Sequence, residues 1–293
     1  MGKSLCVLAA GALALAASAA SAQHAQYVFI GERNPEADQQ TAEMKFVHPI
    51  TSPYFHEDSF VTSDVRLWYL YHDFPSKVVD GNAQVGALQL RLAITKDIQL
   101  VAYKDGYTNF SDDSAINDHG WNDIAAGVKW NFLHNFKDNL HASVGVGYEF
   151  PWGESKVLQN DEEVRIWGSV NKGFGPIHLG ATANVFFAPE NRDDGDYMSW
   201  HLHADYYLCR FISPVLEVNG YHFFDDASQG AGVSGIDVTN LGSGDDVVTL
   251  GMGAEIRPLK EYDLGIRAAF ETPLTDETDL YGWRVTLSAV YSF

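Results

Sequence analysis

The chain closes on Tyr281-Gly282-Trp283-Arg284-Val285-Thr286-Leu287-Ser288-Ala289-Val290-Tyr291-Ser292-Phe293. Counting back from Phe293, apolar side chains take every second place: Tyr291, Ala289, Leu287, Val285 and Trp283. Ser292, Ser288, Thr286 and Arg284 lie between them, and only Val290 breaks the alternation. Period two marks a strand with one greasy and one polar face. Aromatics at both ends of the greasy face, with aliphatics between, suit a membrane slab with its two interfaces. An edge strand of a soluble sandwich would alternate in the same way, so the rest of the chain has to decide.

Working back from this strand, period-two runs bounded by turn residues give about twelve strand candidates, near 62–73, 83–95, 98–110, 121–133, 140–150, 164–173, 177–188, 199–208, 215–224, 246–257, 262–271 and 282–293. At ten to thirteen residues each, they match a tilted bilayer crossing better than the shorter strands of soluble sheets. Short turns at 96–97, 134–139, 173–176, 209–214 and 258–261 alternate with long loops at 111–120, 151–163, 189–198, 225–245 and 272–281, with a medium one at 74–82. A soluble sandwich has no reason to sort its connections in this way. The pattern predicts an all-β, up-and-down antiparallel transmembrane barrel over residues 61–293.

Residues 1–22 read as a signal peptide, with Lys3 ahead of an apolar run over 5–17 and Ala20-Ser21-Ala22 before the cut. Residues 23–60 are irregular, broken by Asn34-Pro35 and Ser52-Pro53, and suit a periplasmic lead-in or a segment tucked into the lumen. The sequence does not choose between the two. Cys6 leaves with the signal, so Cys209 has no partner for an internal disulfide. A net charge of −20 argues against nucleic acid as a partner. Acidic pairs crowd the long loops: Asp112-Asp113, Asp161-Glu162-Glu163, Asp193-Asp194, Asp225-Asp226, Asp245-Asp246 and Asp276-Glu277. One rim should carry a negative field able to hold divalent cations that bridge anionic lipopolysaccharide, or to favour entry of cations.

Once the apolar face is assigned to lipid, parity sends the polar set inward. Arg66, Arg91, Lys129, Arg165, Arg267 and Arg284 are the expected lumenal cations, with Glu149, Asp205, Glu217, Glu255 and Glu271 as counter-charges and His201 and His203 among them. Symmetric hairpins would set Glu149 opposite Arg165, Asp205 opposite Glu217 or Asn219, and Arg284 near Glu271. The same reasoning leaves His178 far from Asp205. Lys104 falls on the lipid parity, so it should either snorkel to headgroups or mark a bulge. Inward glycines such as Gly127, Gly145, Gly147, Gly251, Gly253 and Gly265 point to open lumenal space.

Two patterns hint at chemistry. His201-x-His203-x-Asp205 places three ligand types on one strand face, although a row of lumenal hydrogen-bonders reads the same way. His141-x-Ser143 has the His and Ser spacing of outer-membrane phospholipases, which are twelve-stranded barrels with that pair on the lipid face. Here parity turns both residues into the lumen near the short-turn rim, so no catalytic residue, metal or cofactor is assigned.

The region from Val61 to Phe293, with its alternating strands, acidic long loops and terminal Phe293, resembles Gram-negative outer-membrane barrels of the small porin or transporter kind. That resemblance implies residence in the outer membrane, delivery by the assembly machinery through the closing strand, contact with lipopolysaccharide, and passage of small polar solutes. A non-conducting barrel serving as an anchor or surface-interaction protein is the first alternative, and a lipid hydrolase the second.

Overall fold

The computed structural model describes residues 27–76, 80–114, 116–157, 159, 162–187, 196–224, 246–259, 263–275 and 281–293. The proposed signal peptide and the acidic pairs Asp193-Asp194, Asp225-Asp226 and Asp276-Glu277 lie outside this set, as do Asp161 and Asp245. Fourteen strands form one antiparallel sheet that closes on itself: β1 (Asp64–Asp73) pairs on one side with β2 (Asn82–Ala93) and on the other with β14 (Trp283–Ser292). The 3₁₀ turns Pro35–Gln39, Ala42–Met44 and Ser155–Val157 are the described helical elements.

Two staves are each built from two strands. β3 (Ile98–Lys104) and β4 (Tyr107–Phe110) both pair with β2, at Leu90–Ala93 and Ala83–Gly86 respectively. Beside them run β5 (His119–Trp121) and β6 (Ile124–Asn135). The sheet therefore has twelve staves. The break at Asp105-Gly106 is where Gly106 takes φ +120°, and a Cβ there would meet the Gly86 carbonyl oxygen at 2.7 Å. The Asp105 carboxylate fills the gap in the ladder by accepting from Leu88 N at 3.0 Å. Beyond these strands the barrel continues through β7 (Leu140–Phe150), β8 (Glu163–Phe174), β9 (Ile177–Phe187), β10 (Tyr197–Tyr206), β11 (Ile212–Phe223), β12 (Val247–Ile256) and β13 (Asp263–Pro273).

Both faces follow from alternation. Leu67, Val128, Val146, Ile166, Leu202 and Ile266 stand about half exposed on the outside, and the described mid-strand positions of that face carry no Asp, Glu, Lys or Arg. A charge there would cost about 2–4 kcal/mol in hydrocarbon. The inner face is buried and mostly polar in its lower and middle parts. Towards the long-loop rim it turns apolar, with Trp68, Leu70, Val85 and Ala87 in one cluster.

The inside is filled. Residues 45–63 are buried throughout; they enter at the short-turn mouth, rise to an apex near Tyr54 and Phe55, and descend to β1. At the mouth Lys45 meets Asp263, midway Thr51 meets Glu217, and at the apex Phe55 packs on Phe186, Tyr197 and Tyr221. Ahead of this, Phe29 N and Ile30 N donate to Ala93 O and Ile94 O at the foot of β2. The segment preceding the barrel thus folds back into it.

Three sequence expectations are corrected by the register. Glu149 lies opposite Glu163, not Arg165, because Arg165 faces Gly147. Asp205 lies opposite Val215, and it is His203 that faces Glu217. His178 sits directly across from Asp205. The first two errors came from taking loops as symmetric when strand ends are staggered in a sheared barrel; the third did not, since a symmetric loop over 189–198 already sets His178 opposite Cys209, close to Asp205. The expected opposition of Arg284 and Glu271 is present. Lys104 turns inward through a bulge between Ala102 and Lys104.

The glycines do not leave open space. A Cβ at Gly145 would meet the Trp167 ring at 2.1 Å, one at Gly147 would meet the Tyr103 ring, and one at Gly251 would meet Thr51 of the segment. These glycines make room for bulky neighbours and for the re-entrant chain.

Candidate functional site

The inner wall and the segment it holds form one charged assembly. On β1, β2 and β6, parity turns Arg66, Arg91 and Lys129 inward, and each is buried. Arg91 grips Glu57 through Nη2 at 2.7 Å and Nε at 3.2 Å. Lys129 Nζ reaches Glu57 Oε1 at 2.8 Å, the Asp58 carbonyl at 2.9 Å and the Asp58 carboxylate at 3.6 Å. Arg66 holds Asp64 at 2.7 Å and approaches Asp58 at 3.7 Å. Burial alone would push both segment carboxyls up. Arg91 and Lys129 outweigh it for Glu57, and His48 and Lys129 for Asp58, so both stay below the usual carboxylate range.

Across the lumen the polarity reverses, and wall carboxylates hold backbone amides of the segment. Glu217 accepts from Ile50 N at 3.0 Å and Thr51 N at 2.6 Å, and Asp205 accepts from Val47 N at 3.0 Å. His203 bridges the two acids, with Nδ1 2.7 Å from Glu217 and Nε2 3.1 Å from Asp205. His178 Nδ1 lies 2.7 Å from the other Asp205 oxygen. Both His203 nitrogens are engaged, so the His201-x-His203-x-Asp205 pattern is a hydrogen-bonded row, and no metal-holding group occurs among the described residues. His201 bonds Asn219 at 2.8 Å and stacks on His56 with ring centroids 5.1 Å apart.

The remaining expected residues are also placed. Arg165 donates to Tyr54 O at 2.7 Å and Phe55 O at 2.6 Å, and its guanidinium lies over the Trp167 and Tyr103 rings at 4.7 and 4.8 Å. Glu149 pairs with Lys104. Glu255 holds Arg267 at 2.9 Å and Arg257 at 2.5 Å. Glu271 pairs with Arg284 at 2.5 Å and accepts from Asn219 at 2.8 Å. His141 and Ser143 are buried on the inner face, with the His141 ring against Phe60 at 5.0 Å and Phe136 at 5.2 Å, so the pair does not meet lipid.

Sequence reasoning missed the partners supplied by the segment, above all Glu57, Asp58 and His48. A signal was available. Phe46, Val47, Ile50, Tyr54, Phe55, Phe60 and Val61 make 46–61 too apolar for a solvated lead-in. Burial pushes the His56 imidazole down to about 4, against the pull of Glu217.

No protein-family model matches the chain, and no curated protein matches it. Solved structures do share its architecture. An outer-membrane channel from Pseudomonas putida F1 is 14% identical with a TM-score of 0.61, the match covering 85% of this chain and 100% of that one. The NanC porin is 8% identical with a TM-score of 0.52, over 79% of this chain and 98% of that one. The KdgM porin is 10% identical with a TM-score of 0.49, over 78% of this chain and 99% of that one. The closed sheet and the first two likenesses define the fold: a twelve-staved barrel of the outer-membrane channel type.

Proposed function

We propose that this protein is a porin-like channel of the Gram-negative outer membrane, passing small polar solutes through a narrow charged lumen that residues 45–63 close at rest. The carrying observation is the two-sided inner wall. Cations on β1, β2 and β6 face carboxylates on β10 and β11 across a closed barrel with a half-exposed apolar belt. Such opposed charges set a transverse field that orients a polar solute. The ion pairs and hydrogen bonds that hold the segment are contacts that water and solute can replace as it withdraws, while Phe55, Val47 and Ile50 add an apolar hold on the wall.

The same packing favours a second reading, a barrel that never conducts and serves as an anchor or surface-interaction protein. Planar-bilayer recording of the refolded protein separates the two. The channel gives discrete conductance steps, and complete silence at every voltage supports the anchor. Contact with lipopolysaccharide through cations at the acidic loops, and delivery by the assembly machinery through β14, accompany either reading. A lipid hydrolase would require phospholipid cleavage that Ser143→Ala abolishes.

A further inference from the structure

The charges beside Glu57 and Asp58 do not balance without them. Where β1, β2 and β6 meet the segment, the wall supplies three cations, Arg66, Arg91 and Lys129, and one carboxylate, Asp64, that bonds Arg66. The two missing negative charges come from the re-entrant chain, and all six groups are buried to 2% exposure or less. His48, whose Nδ1 lies 2.5 Å from the Asp58 carboxylate, belongs to the same segment and would leave with it. Withdrawal therefore exposes a wall with two uncompensated cations, a state a narrow lumen does not hold without an anion.

The geometry of the occupied site tells which anion. The Arg91 fork takes one carboxylate through Nε and Nη2, the side-on grip that suits a planar carboxylate. Lys129 lies within 2.8 Å of that carboxylate and 3.6 Å of the next, so one ammonium brackets two carboxylates from adjacent residues. Gln89 Oε1 accepts from Arg91 Nη1 at 3.2 Å and helps fix the guanidinium. We propose that Arg66, Arg91 and Lys129 form a carboxylate-binding site of the channel, held at rest by Glu57 and Asp58 and taken by a small organic dicarboxylate when the segment withdraws. The resting segment is then a built-in competitor for the solute. This inference rests on the channel reading for its withdrawal step, but the site itself can be tested by binding.

The test is calorimetric titration of the detergent-folded, full-length barrel with succinate. Glu57→Ala with Asp58→Ala vacates the site, and this variant should bind succinate saturably, at least tenfold more tightly than wild type does and than it binds the neutral analogue succinamide. Adding Arg91→Met should weaken succinate at least tenfold. Should the alanine pair fail to fold, Glu57→Gln with Asp58→Asn keeps the shape, removes the charge, and is judged by the same comparisons. Binding no tighter than wild type, or unaltered by Arg91→Met, overturns the proposal. A barrel that binds succinate yet never conducts sinks the channel reading alone, whereas one that conducts without binding sinks only this site.

Discussion

Glu217→Gln is the substitution that tests most sharply how the lumen is closed. The carboxylate accepts from Ile50 N at 3.0 Å, Thr51 N at 2.6 Å and the Thr51 hydroxyl, while His203 Nδ1 lies 2.7 Å away. An ionised acceptor makes bonds of about 1.5–3 kcal/mol, against roughly 0.5–1.5 for a neutral one. Glutamine keeps the shape but replaces one acceptor oxygen with an NH₂ group facing donors. At least one segment donor then loses its partner and the other bonds weaken, a loss of about 3 kcal/mol. That raises the withdrawn fraction on the order of 100-fold. Hydrogen exchange of the peptide spanning 46–60, read by mass spectrometry in detergent or vesicles, measures this without assuming conduction. Protection of that peptide should fall on the order of 100-fold while β12 peptides stay unchanged. If protection in 46–60 stays within about threefold of wild type, the wall acids do not seat the segment and the reasoning fails.

Three further outcomes follow from the same contacts. Arg165→Met removes the donors to Tyr54 O and Phe55 O, and should loosen the apex by about 2–4 kcal/mol, seen as faster proteolysis near Phe55. Val146→Arg puts a charge in the middle of the outer belt and should cost about 2–4 kcal/mol in vesicle unfolding experiments; no cost would mean that face does not meet lipid. The His56 ring packs on His201 and His203 of β10, with Glu217 of β11 and its own neighbours Glu57 and Asp58 nearby, and its folded value lies near 4 against an ordinary 6.5. A depressed value means the seated state resists protonation. Seating is therefore fully supported above pH 6.5 and weakens as pH falls towards 4, by about 3 kcal/mol. Glu57 and Asp58, also held low, add to the loss at still lower pH. Open probability should rise on acidification, and His56→Phe should flatten the rise above pH 4.

Much of the fold was legible because strand parity is a local property. Arg66, Arg91, Lys129 and Glu217 each follow from apolar neighbours on both sides in sequence. Staggers and breaks were not legible, since Glu149 against Glu163 depends on how the strand ends are offset and Lys104 turns inward only through a bulge. The contents of the lumen were only half legible: the apolar run over 46–61 suited a segment tucked inside, but which wall residues it would meet did not show. Glycines that read as space are occupied by Trp167, Tyr103 and Thr51, and the ion pairs of Arg91 and Lys129 are closed by Glu57, far from both in sequence. Nothing periodic marks a chain that folds back into its own barrel.

If residues 45–63 stop passage through this lumen, tying them to the wall should hold it shut. A Cβ built on Gly251 lies 3.4 Å from the Thr51 Cβ, close to the separation a disulfide spans. Thr51→Cys with Gly251→Cys, in a Cys209→Ser background, therefore ties the segment to β12. Single-channel recording of this variant before and after reductant is the direct measurement. The oxidised barrel should be silent and give discrete steps once reduced, reversed by re-oxidation; equal conductance in the two states would mean that the segment does not close the lumen.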